Sequence, residues 1–377
     1  MKKRKIIYVS GTRADYGLMK KTLKEIKKNP RLDIVIAASG MHLMPEFGKT
    51  IAEIRKDGFK VFPVRAVYGN DEKSSSVEFI GAFILNFLKM VKKVKPDVIF
   101  IQGDRAEMLS AAIVGAYLNI LVVHSHGGEV SSTVDEVSRH AISKLSHFHF
   151  PATDKSKKRL IRMGEDKWRI KEFGAPGLDG ILKEKLLSKE EIIKKYKLED
   201  EKPIIIVVQH PVSLESDNAS FQIKQTMEAV KETGWPAVVI YPNSDPGSRK
   251  MIKVIEKYRK YPFIRIYKNM ERRDYLSLLK VSSALIGNSS SGVIEAPCFG
   301  LGVVNIGTRQ KGREKASNII ESDYDKKQIK EAIEKAVKHK FKEIKNPYYK
   351  EGTAKKISEL LSGIKIDKKL LDKKLAY

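Results

Sequence analysis

Short apolar runs alternate with longer stretches of helical periodicity along the whole chain. In the first half, the apolar runs that we interpret as β-strands are residues 5–10, 33–38, 98–102, 121–125 and 148–151. The stretches with helical spacing of apolar residues lie between them, at residues 15–28, 44–57, 76–93, 105–117 and 135–146. Alternation of strands with helices is typical of βαβ units in a parallel sheet.

The same alternation starts again after the segment GAPGLDGILKEK, which begins at Gly174. Its strand-like runs are residues 203–209, 237–241, 263–267, 284–287 and 303–306. The pattern predicts an α/β protein with two doubly wound, Rossmann-like domains that face each other across a cleft. We place these domains at residues 1–176 and 177–349, and we expect the amphipathic segment 350–377 to form a helix that packs back on the first domain. A length of 377 residues agrees with two domains.

Cysteine content and apolar runs indicate where the protein is found. The single cysteine, Cys298, excludes an internal disulfide and favours a reducing compartment. The N-terminus is basic, but its apolar run at residues 6–9 is too short for a signal peptide. No apolar run approaches the length of a membrane span. We therefore expect a cytoplasmic protein without membrane contact.

The formal net charge of +26 raises the question of nucleic-acid binding. The lysines are spread from Lys2 to Lys374 and do not alternate with aromatic residues, as they do on a stacking platform for bases. We interpret them as solvated helix faces and expect no specific nucleic-acid partner. The charge would still attract an anionic small substrate.

Ligands of doubly wound domains bind at the carboxyl ends of the strands, so functional residues are expected directly after strand-like runs. The motif SGTRADYG, residues 10–17, follows the first run and lacks the three-glycine spacing of a dinucleotide-binding loop. Its Arg13 has the forked geometry that suits phosphate oxygens. The motif QGDRAE, residues 102–107, offers Asp104 either as a cap of the following helix or as a cleft carboxylate, with Arg105 beside it.

Acids, bases and flexible backbone are concentrated in HGGEVSSTVDEVSRH, residues 126–140. Gly127 and Gly128 allow the backbone to pass close to a ligand, and Asp135 stands four residues before Arg139 on a predicted helix. Five of the eight histidines lie between residues 124 and 149, and their H-x-H spacing is compatible with metal binding. No cysteine adds to them and the other candidate ligands are scattered, so we expect no metal.

Candidate residues of the second half also follow strand-like runs. His210 in VVQHP is a candidate general acid or phosphate ligand. In GNSSSGVIE, Ser289 and Ser290 occupy a strand-to-helix turn that suits phosphate, and Glu295 suits a pair of ribose hydroxyls. Arg309 and Arg313 follow the next run and supply further positive charge.

Taken together and in this order, the motifs GTRADYG, GDRAE, HGGEV, QHP, PNSDPGS, GNSSSGVIEAP and GTRQKGRE resemble the hydrolysing UDP-N-acetylglucosamine 2-epimerases. The resemblance runs from Gly11 to about Asn318. That family releases UDP and N-acetylmannosamine for sialic-acid-type sugars, and some relatives act on UDP-diacetamido sugars of the legionaminic-acid type. The resemblance implies the two-domain GT-B fold, with sugar chemistry on the first domain, UDP on the second and no cofactor. It also implies a homo-oligomer, a dimer or a tetramer.

The resemblance assigns two groups of residues. The catalytic group is Asp104, Glu129, Asp135, His126 and His210. The UDP-binding group is Arg13, Arg105, His210, Asn243, Ser289, Ser290, Glu295 and Arg309. One position departs from the family pattern, because many members have a catalytic glutamate where this chain has His126.

The expected chemistry explains why acids and bases cluster. Removing hydrogen from C2 of a sugar requires that the bond from C1 to the diphosphate loosen first, so cations must stabilise the leaving UDP. A base must accept the C2 proton, and a second group must return a proton from the other face while water adds at C1. Two alternatives stay open, a non-hydrolysing epimerase and a GT-B glycosyltransferase.

Overall fold

The computed structural model describes residues 3–376 apart from 71, 132–133, 340 and 342–343, so part of the predicted motif 126–140 and the last residue of the predicted tail lie outside the described residues. The described chain contains two parallel six-stranded sheets, one in each half. The strands of the first sheet are β1 (Arg4–Ser10), β2 (Leu32–Ala38), β3 (Lys60–Pro63), β4 (Val98–Gln102), β5 (Leu121–Ser125) and β6 (Phe148–Phe150). Its helices are α1 (Arg13–Lys28), α2 (Ile51–Lys56), α3 (Lys73–Val94), α4 (Ala106–Tyr117), α5 (Val134–Leu145) and α6 (Asp154–Arg162).

The second half repeats the arrangement. Its strands are β7 (Ile205–Val208), β8 (Ala237–Ile240), β9 (Ile264–Tyr267), β10 (Ala284–Gly287), β11 (Gly302–Ile306) and β12 (Ile319–Ser322). Its helices are α7 (Lys189–Tyr196), α8 (Ala219–Thr233), α9 (Ser248–Glu256), α10 (Arg272–Val281), α11 (Ser290–Ile294) and α12 (Lys326–Lys338), and the chain ends with α13 (Thr353–Gly363) and α14 (Lys368–Leu371).

Both sheets have the same strand order. The first runs β3-β2-β1-β4-β5-β6 and the second β9-β8-β7-β10-β11-β12. The chain therefore changes direction of winding between β1 and β4, and again between β7 and β10. Loops that follow these central strands separate and leave a crevice at the carboxyl edge of each sheet. The prediction of two doubly wound α/β halves is confirmed.

Strand composition explains why these segments form the centres of the sheets. All residues of β4 and β5 are buried, and so are the last five of β1. Helices cover both faces of each sheet, so the central strands are mainly apolar and do not alternate, and their polar residues lie at the ends. α1 begins at a capping box in which Thr12 and Asp15 satisfy each other's backbone N–H groups, and this fixes where the first crevice-lining loop ends.

Two strands and one helix differ from the sequence prediction. β3 and β12 were missed because they are short edge strands whose residues are largely not buried, which leaves a weak apolar signal. The single helix predicted at residues 44–57 is wrong. Gly48 adopts a left-handed φ of 92° there, so the segment divides into a 3-10 turn at Pro45–Phe47 and the short helix α2.

One helix contradicts the expectation that no apolar stretch reaches the length of a membrane span. Residues Ser74–Val94 of α3 are long and apolar enough by length and composition. Phe79, Phe83 and Phe87 on one face of this helix are nevertheless fully buried in the core of the first half. Core packing thus accounts for part of the hydropathy of α3, whereas its Val77 and Leu85 are 71% and 65% exposed.

The C-terminal segment returns to the first half. α13 packs along α1, and its Ile357 and Leu361 are fully buried in the same apolar cluster as Leu23. Further on, the Lys373 ammonium donates to the Ser143 and Ser146 carbonyls at 2.9 and 2.6 Å, at the carboxyl end of α5. The segment is two helices with a break and not the single helix that we expected.

This packing leads to a stability prediction. Leu361→Ala removes a fully buried side chain and should lower the free energy of unfolding by about 2–5 kcal/mol. The matched control is Leu85→Ala, because Leu85 is also helical but 65% exposed, and it should change stability by no more than about 0.5 kcal/mol. Urea unfolding followed by circular dichroism measures both. Equal effects of the two substitutions would contradict the packing of α13.

Candidate active site

A cleft of about 360 Å³ lies where the carboxyl edges of the two sheets face each other. The side chains that line it from the first half include Arg13, Gln102, Asp104, Arg105, His126, Asp135 and Arg139. Those from the second half include His210, Asn243, Asp245, Arg272, Ser289, Ser290, Glu295, Arg309 and Arg313. The fold therefore brings both crevices into one site.

Eleven of the twelve residues singled out from the sequence line this cleft, and Glu129 is the exception. It lies behind the cleft wall, next to a smaller cavity of about 70 Å³ that it shares with Arg313. Sequence reasoning missed Arg272 and Asp245 as cleft residues. Asp245 lies in the motif PNSDPGS directly after a strand-like run, so its position could have indicated a cleft residue. Arg272 lies in none of the motifs and was not recognisable in this way.

Arg13 reaches into the cleft from the first turn of α1. Its Nε lies 2.6 Å from a carboxylate oxygen of Glu53, and its Nη1 donates to the Asn269 side chain of the second half. The loop before it is fixed by Asp15, whose carboxylate accepts from the Gly11 and Thr12 N–H groups at 2.9 and 2.8 Å. Burial raises the pKa of Asp15 to about 6, although these hydrogen bonds favour the ionised form.

Asp104 belongs to a charged cluster at the end of β4. It does not cap α4, because Arg105 occupies the N-cap position without a capping hydrogen bond, so the capping interpretation is wrong. The carboxylate instead accepts a hydrogen bond from Arg139 of α5. Burial acts to raise the pKa of Asp104, but Arg139, Arg313 and Arg309 outweigh it and hold the pKa below its ordinary value. Asp104 is therefore ionised at neutral pH.

Arg105 and Arg309 place two further guanidinium groups between the halves. Arg105 lies 3.3 Å from Glu107 and 3.8 Å from Asp245 of the second half. Arg309 lies 3.8 Å from Asp135 of the first half and 3.9 Å from Asp245. Burial acts to lower the pKa of Arg105, but Glu107, Tyr68 and Asp245 outweigh it and raise the pKa above its ordinary value.

His126 is held in an unusual conformation. Its φ of 62° is left-handed, which non-glycine residues seldom adopt, and this turns its ring into the cleft wall. The ring Nδ1 lies 2.5 Å from Glu129 Oε1, and the other oxygen of Glu129 lies 3.0 Å from Arg313 Nη2. Burial acts to raise the pKa of Glu129, but Arg313 and His126 outweigh it and keep the pKa well below its ordinary value.

His210 is positioned by its neighbours in the second half. Its backbone N–H donates to Asn288 Oδ1 at 2.7 Å, and its ring Nδ1 accepts from the Asn243 N–H at 3.0 Å. Burial, with Arg309 and Arg105 adding to it, lowers the pKa of His210 well below its ordinary value. The ring is therefore neutral at physiological pH, with its proton on Nε2. His210 can donate one hydrogen bond from Nε2, which suits a phosphate oxygen.

The turn after β10 presents hydroxyls to the cleft. Gly287 has a φ of 126°, and a side chain there would overlap the Val208 carbonyl, so only glycine fits. Ser289 caps α11 by accepting from the Ser291 N–H, and Ser290 lines the cleft beside it. Glu295 ends this helix and accepts from Arg272 Nη1 at 2.6 Å, which fixes its carboxylate.

The other clustered histidines have separate structural partners. His124 Nε2 lies 2.7 Å from the Gly103 carbonyl, His147 Nδ1 accepts from the Val122 N–H, and His149 Nε2 lies 2.9 Å from Glu165. Burial lowers the pKa of each. Within the described ranges, no three potential metal-ligating side chains converge.

Comparison with known proteins extends this picture. The family model described as UDP-N-acetylglucosamine 2-epimerase matches residues 24–362. The chain is 41% identical over 375 residues to a UDP-N,N'-diacetylbacillosamine 2-epimerase (hydrolyzing) of Legionella pneumophila, covering 99% of this chain and 100% of that protein. It is 35% identical to a UDP-N-acetylglucosamine 2-epimerase of Neisseria meningitidis serogroup B, covering 88% and 87% of the two chains.

The fold also matches a solved structure, that of UDP-GlcNAc 2-epimerase from Neisseria meningitidis bound to UDP-GlcNAc. The TM-score is 0.78, with 18% identity over 95% of this chain and 99% of the other. At that identity the match concerns the fold alone, and it confirms the expected two-domain α/β architecture of the GT-B type.

The Asp104–Arg139 pair predicts a pH dependence of stability. A lowered pKa means that ionised Asp104 contributes its full stabilisation above the ordinary value of 3.8, and that this contribution disappears as the pH falls through the lowered value. Asp104→Asn should therefore cost about 1–3 kcal/mol at pH 7, and the difference from wild type should shrink below about pH 4. Urea unfolding from pH 3 to pH 7 measures this difference. The surface control Asp200→Asn should show little effect at any pH, and a difference for Asp104→Asn that does not vary with pH would contradict the pairing.

Proposed function

The chain belongs to the UDP-N-acetylglucosamine 2-epimerase family, and on that premise we propose that it is a hydrolysing 2-epimerase that inverts C2 of a UDP-activated, N-acetylated gluco-type sugar. It releases UDP and the N-acetylmannosamine-type sugar. One observation carries the proposal: ionisable groups of the first half, Asp104, His126 and Asp135, share one cleft with residues of the second half that suit a phosphate.

The first step is elimination. The bond from C1 to the diphosphate oxygen breaks and its electron pair leaves with UDP, while a carboxylate removes the C2 proton and the C1–C2 double bond of a glycal forms. Asp104 is suited to the proton transfer because its pairing with Arg139 keeps it ionised. Asp135 lies on the adjoining helix α5, so two carboxylates of the first half border the same cleft.

The second step adds water to the glycal. The water oxygen bonds to C1, its proton passes to a base, and C2 receives a proton on the face opposite to the one that lost it. Two acid–base groups on different sides of the ring are needed, and we assign them to Asp104 or Asp135 and to His126. The reaction involves no net oxidation, so the residues of the cleft suffice and no cofactor is proposed.

The second half would hold UDP. The Nε2 proton of His210 and the guanidinium of Arg309 are placed to stabilise the charge that develops on the departing diphosphate, with the hydroxyls of Ser289 and Ser290 beside them. Glu295 would accept the two ribose hydroxyls, since Arg272 holds its carboxylate in place. Arg13, Arg105 and Asn243 complete the UDP-binding group that we propose.

Two sugars are candidates for the substrate, UDP-N-acetylglucosamine and a UDP-2,4-diacetamido sugar. Support for the second comes from the Legionella relative, whose name specifies the diacetylated sugar and which matches this chain over its whole length. Either product would lead to a nine-carbon acidic sugar of the sialic or legionaminic type. We further propose that residues 1–176 and 177–349 act as the sugar and UDP domains of a cytoplasmic homo-oligomer, a dimer or a tetramer, without a membrane or specific nucleic-acid partner.

The reaction itself is the first test. Purified protein incubated with each UDP-sugar in heavy water should release free UDP and a manno-configured sugar that carries one deuterium at C2. Proton NMR of the product and an enzymatic assay for UDP measure both. Retention of UDP on an epimerised sugar would identify the non-hydrolysing reaction, and transfer to an added sugar acceptor would identify a glycosyltransferase. Absence of any turnover with both sugars would contradict the proposal.

The second test asks whether the first half carries the catalytic groups and the second half binds UDP. Asp104→Asn and Asp135→Asn keep the side-chain shape but remove the base, so kcat should fall roughly 100- to 10,000-fold with little change in UDP affinity. Glu295→Ala should instead weaken UDP binding by about 1.5–3 kcal/mol in calorimetry, because a charged hydrogen-bond acceptor is lost. Wild-type rates in both asparagine variants, or unchanged UDP affinity in Glu295→Ala, would overturn the corresponding assignment.

A further inference from the structure

A chain of three side chains crosses from the cleft wall of the first half to the second half. The His126 ring borders the cleft, and its Nδ1 lies 2.5 Å from Glu129 Oε1. Glu129, which is 3% exposed, has its second oxygen 3.0 Å from Nη2 of Arg313, a residue that follows β11 in the second half. The sequence motifs singled out each of these residues but did not connect them.

We propose that Glu129 is a positioning residue that orients the His126 ring so that Nε2 is its acid–base atom, and that Arg313 completes this unit when the two halves close. The inference deepens the proposed function and rests on it. Glu129 thereby acts through His126 and does not itself exchange a proton with the sugar.

The contacts of Glu129 exclude it as the direct base. One of its oxygens faces Nδ1 of His126 and the other faces Arg313, and the residue does not line the cleft. A carboxylate can only accept, so the Nδ1 position of the neutral ring carries the proton and Nε2 carries the lone pair. Within the described residues, Nδ1 is the ring nitrogen with a hydrogen-bond partner, and Nε2 is left for a ligand.

The local backbone fixes the relative positions of His126 and Glu129. The His126 N–H donates to the Phe150 carbonyl at 3.0 Å, which anchors the left-handed residue to the end of β6. Gly128 has a φ of 78°, and a side chain there would overlap the Ser156 carbonyl, so the loop between His126 and Glu129 has no room to relax. A strained residue held this firmly at a cleft is typical of a functional position.

The charges around His126, Glu129 and Arg313 depend on how closely the two halves approach each other. Asp104 and Arg139 approach it from the first half, and Arg313 and the Tyr348 hydroxyl act on Glu129 from the other side. Arg313 is the cation that reaches Glu129 from across the cleft. Separation of the two halves would remove it, and the buried carboxylate would lose the largest of the charges that lower its pKa, while His126 and Arg139 would remain.

The test compares two glutamates that each pair with an arginine of the other half. Glu129→Gln should lower kcat roughly 100-fold, leave KM within about threefold, and move the His126-dependent limb of the kcat–pH profile about one pH unit toward acid, because the imidazolium loses its neighbouring charge. Glu46→Gln is the matched control, since Arg249 lies 2.8 Å from Glu46 but Glu46 does not contact His126. It should leave kcat and the profile unchanged. A Glu129→Gln protein that behaves like Glu46→Gln would overturn the proposal.

Arg313 is tested by a double-mutant cycle. Arg313→Gln should reduce kcat in the same way as Glu129→Gln, and the double variant should be no slower than the slower single variant, because both residues act through His126. Additive losses would show that Arg313 acts independently, for example on the diphosphate, and would contradict its place in the unit.

A direct readout of the ring keeps the proposal testable if the variants fold poorly. In protein with ¹⁵N-labelled histidine, the His126 signals, identified by their absence in His126→Gln, should show the Nδ1–H form in the wild type and lose that preference in Glu129→Ala. An Nε2–H form in the wild type would overturn the assignment. Wild-type protein without turnover would refute the proposed function instead, so the two failures are distinguishable.

Discussion

The structure depends on charge pairing across the cleft between two parallel sheets. Carboxylates of the first half would be neutralised by burial if they stood alone, because a desolvated charge is costly. Arg309 and Arg313 of the second half lie close to Asp135 and Glu129, and Arg139 pairs with Asp104 within the first half. Guanidinium groups therefore hold the pKa of Asp104 and of Glu129 below the ordinary value, and Arg309 brings a guanidinium of the opposite half to Asp135.

The pairs Arg309–Asp135 and Arg313–Glu129 depend on the relative positions of the two halves. A UDP-sugar is itself an anion, so its diphosphate would compete with the protein carboxylates for Arg309. Under the proposed function, Arg309 would also take up charge when UDP departs. On the same proposal, substrate binding and the electrostatics of the cleft carboxylates would be linked through these guanidinium groups.

The two halves use their identical topology for different chemistry. In each half the site lies at the same point, where the loops after the first and fourth strands of the sheet separate. The first half places charged side chains there, Arg13 after β1 and Asp104 after β4. The second half places a neutral histidine and hydroxyls at the equivalent loops, His210 after β7 and Ser290 after β10. Equivalent positions of the two halves therefore carry side chains of different charge and hydrogen-bonding capacity.

The sequence alone determined the α/β class, the two halves and eleven of the residues that line the cleft. Central strands are buried on both faces, so they are recognisable as short, mainly apolar runs, and the rule that ligands bind at their carboxyl ends identified Asp104, His210 and Ser290. Edge strands β3 and β12 were not recognisable because one side lacks a partner and their residues are less apolar.

Only the tertiary structure determined which charged side chains pair with each other. Asp104 followed a strand at a position where a helix cap was equally plausible, and its actual partner, Arg139, lies 35 residues away on α5. Glu129 looked like a cleft carboxylate, yet packing puts it behind His126 and against Arg313. Periodicity and motif spacing describe neighbours along the chain, whereas the ionisation and orientation of these groups depend on charges that the fold brings together from distant segments.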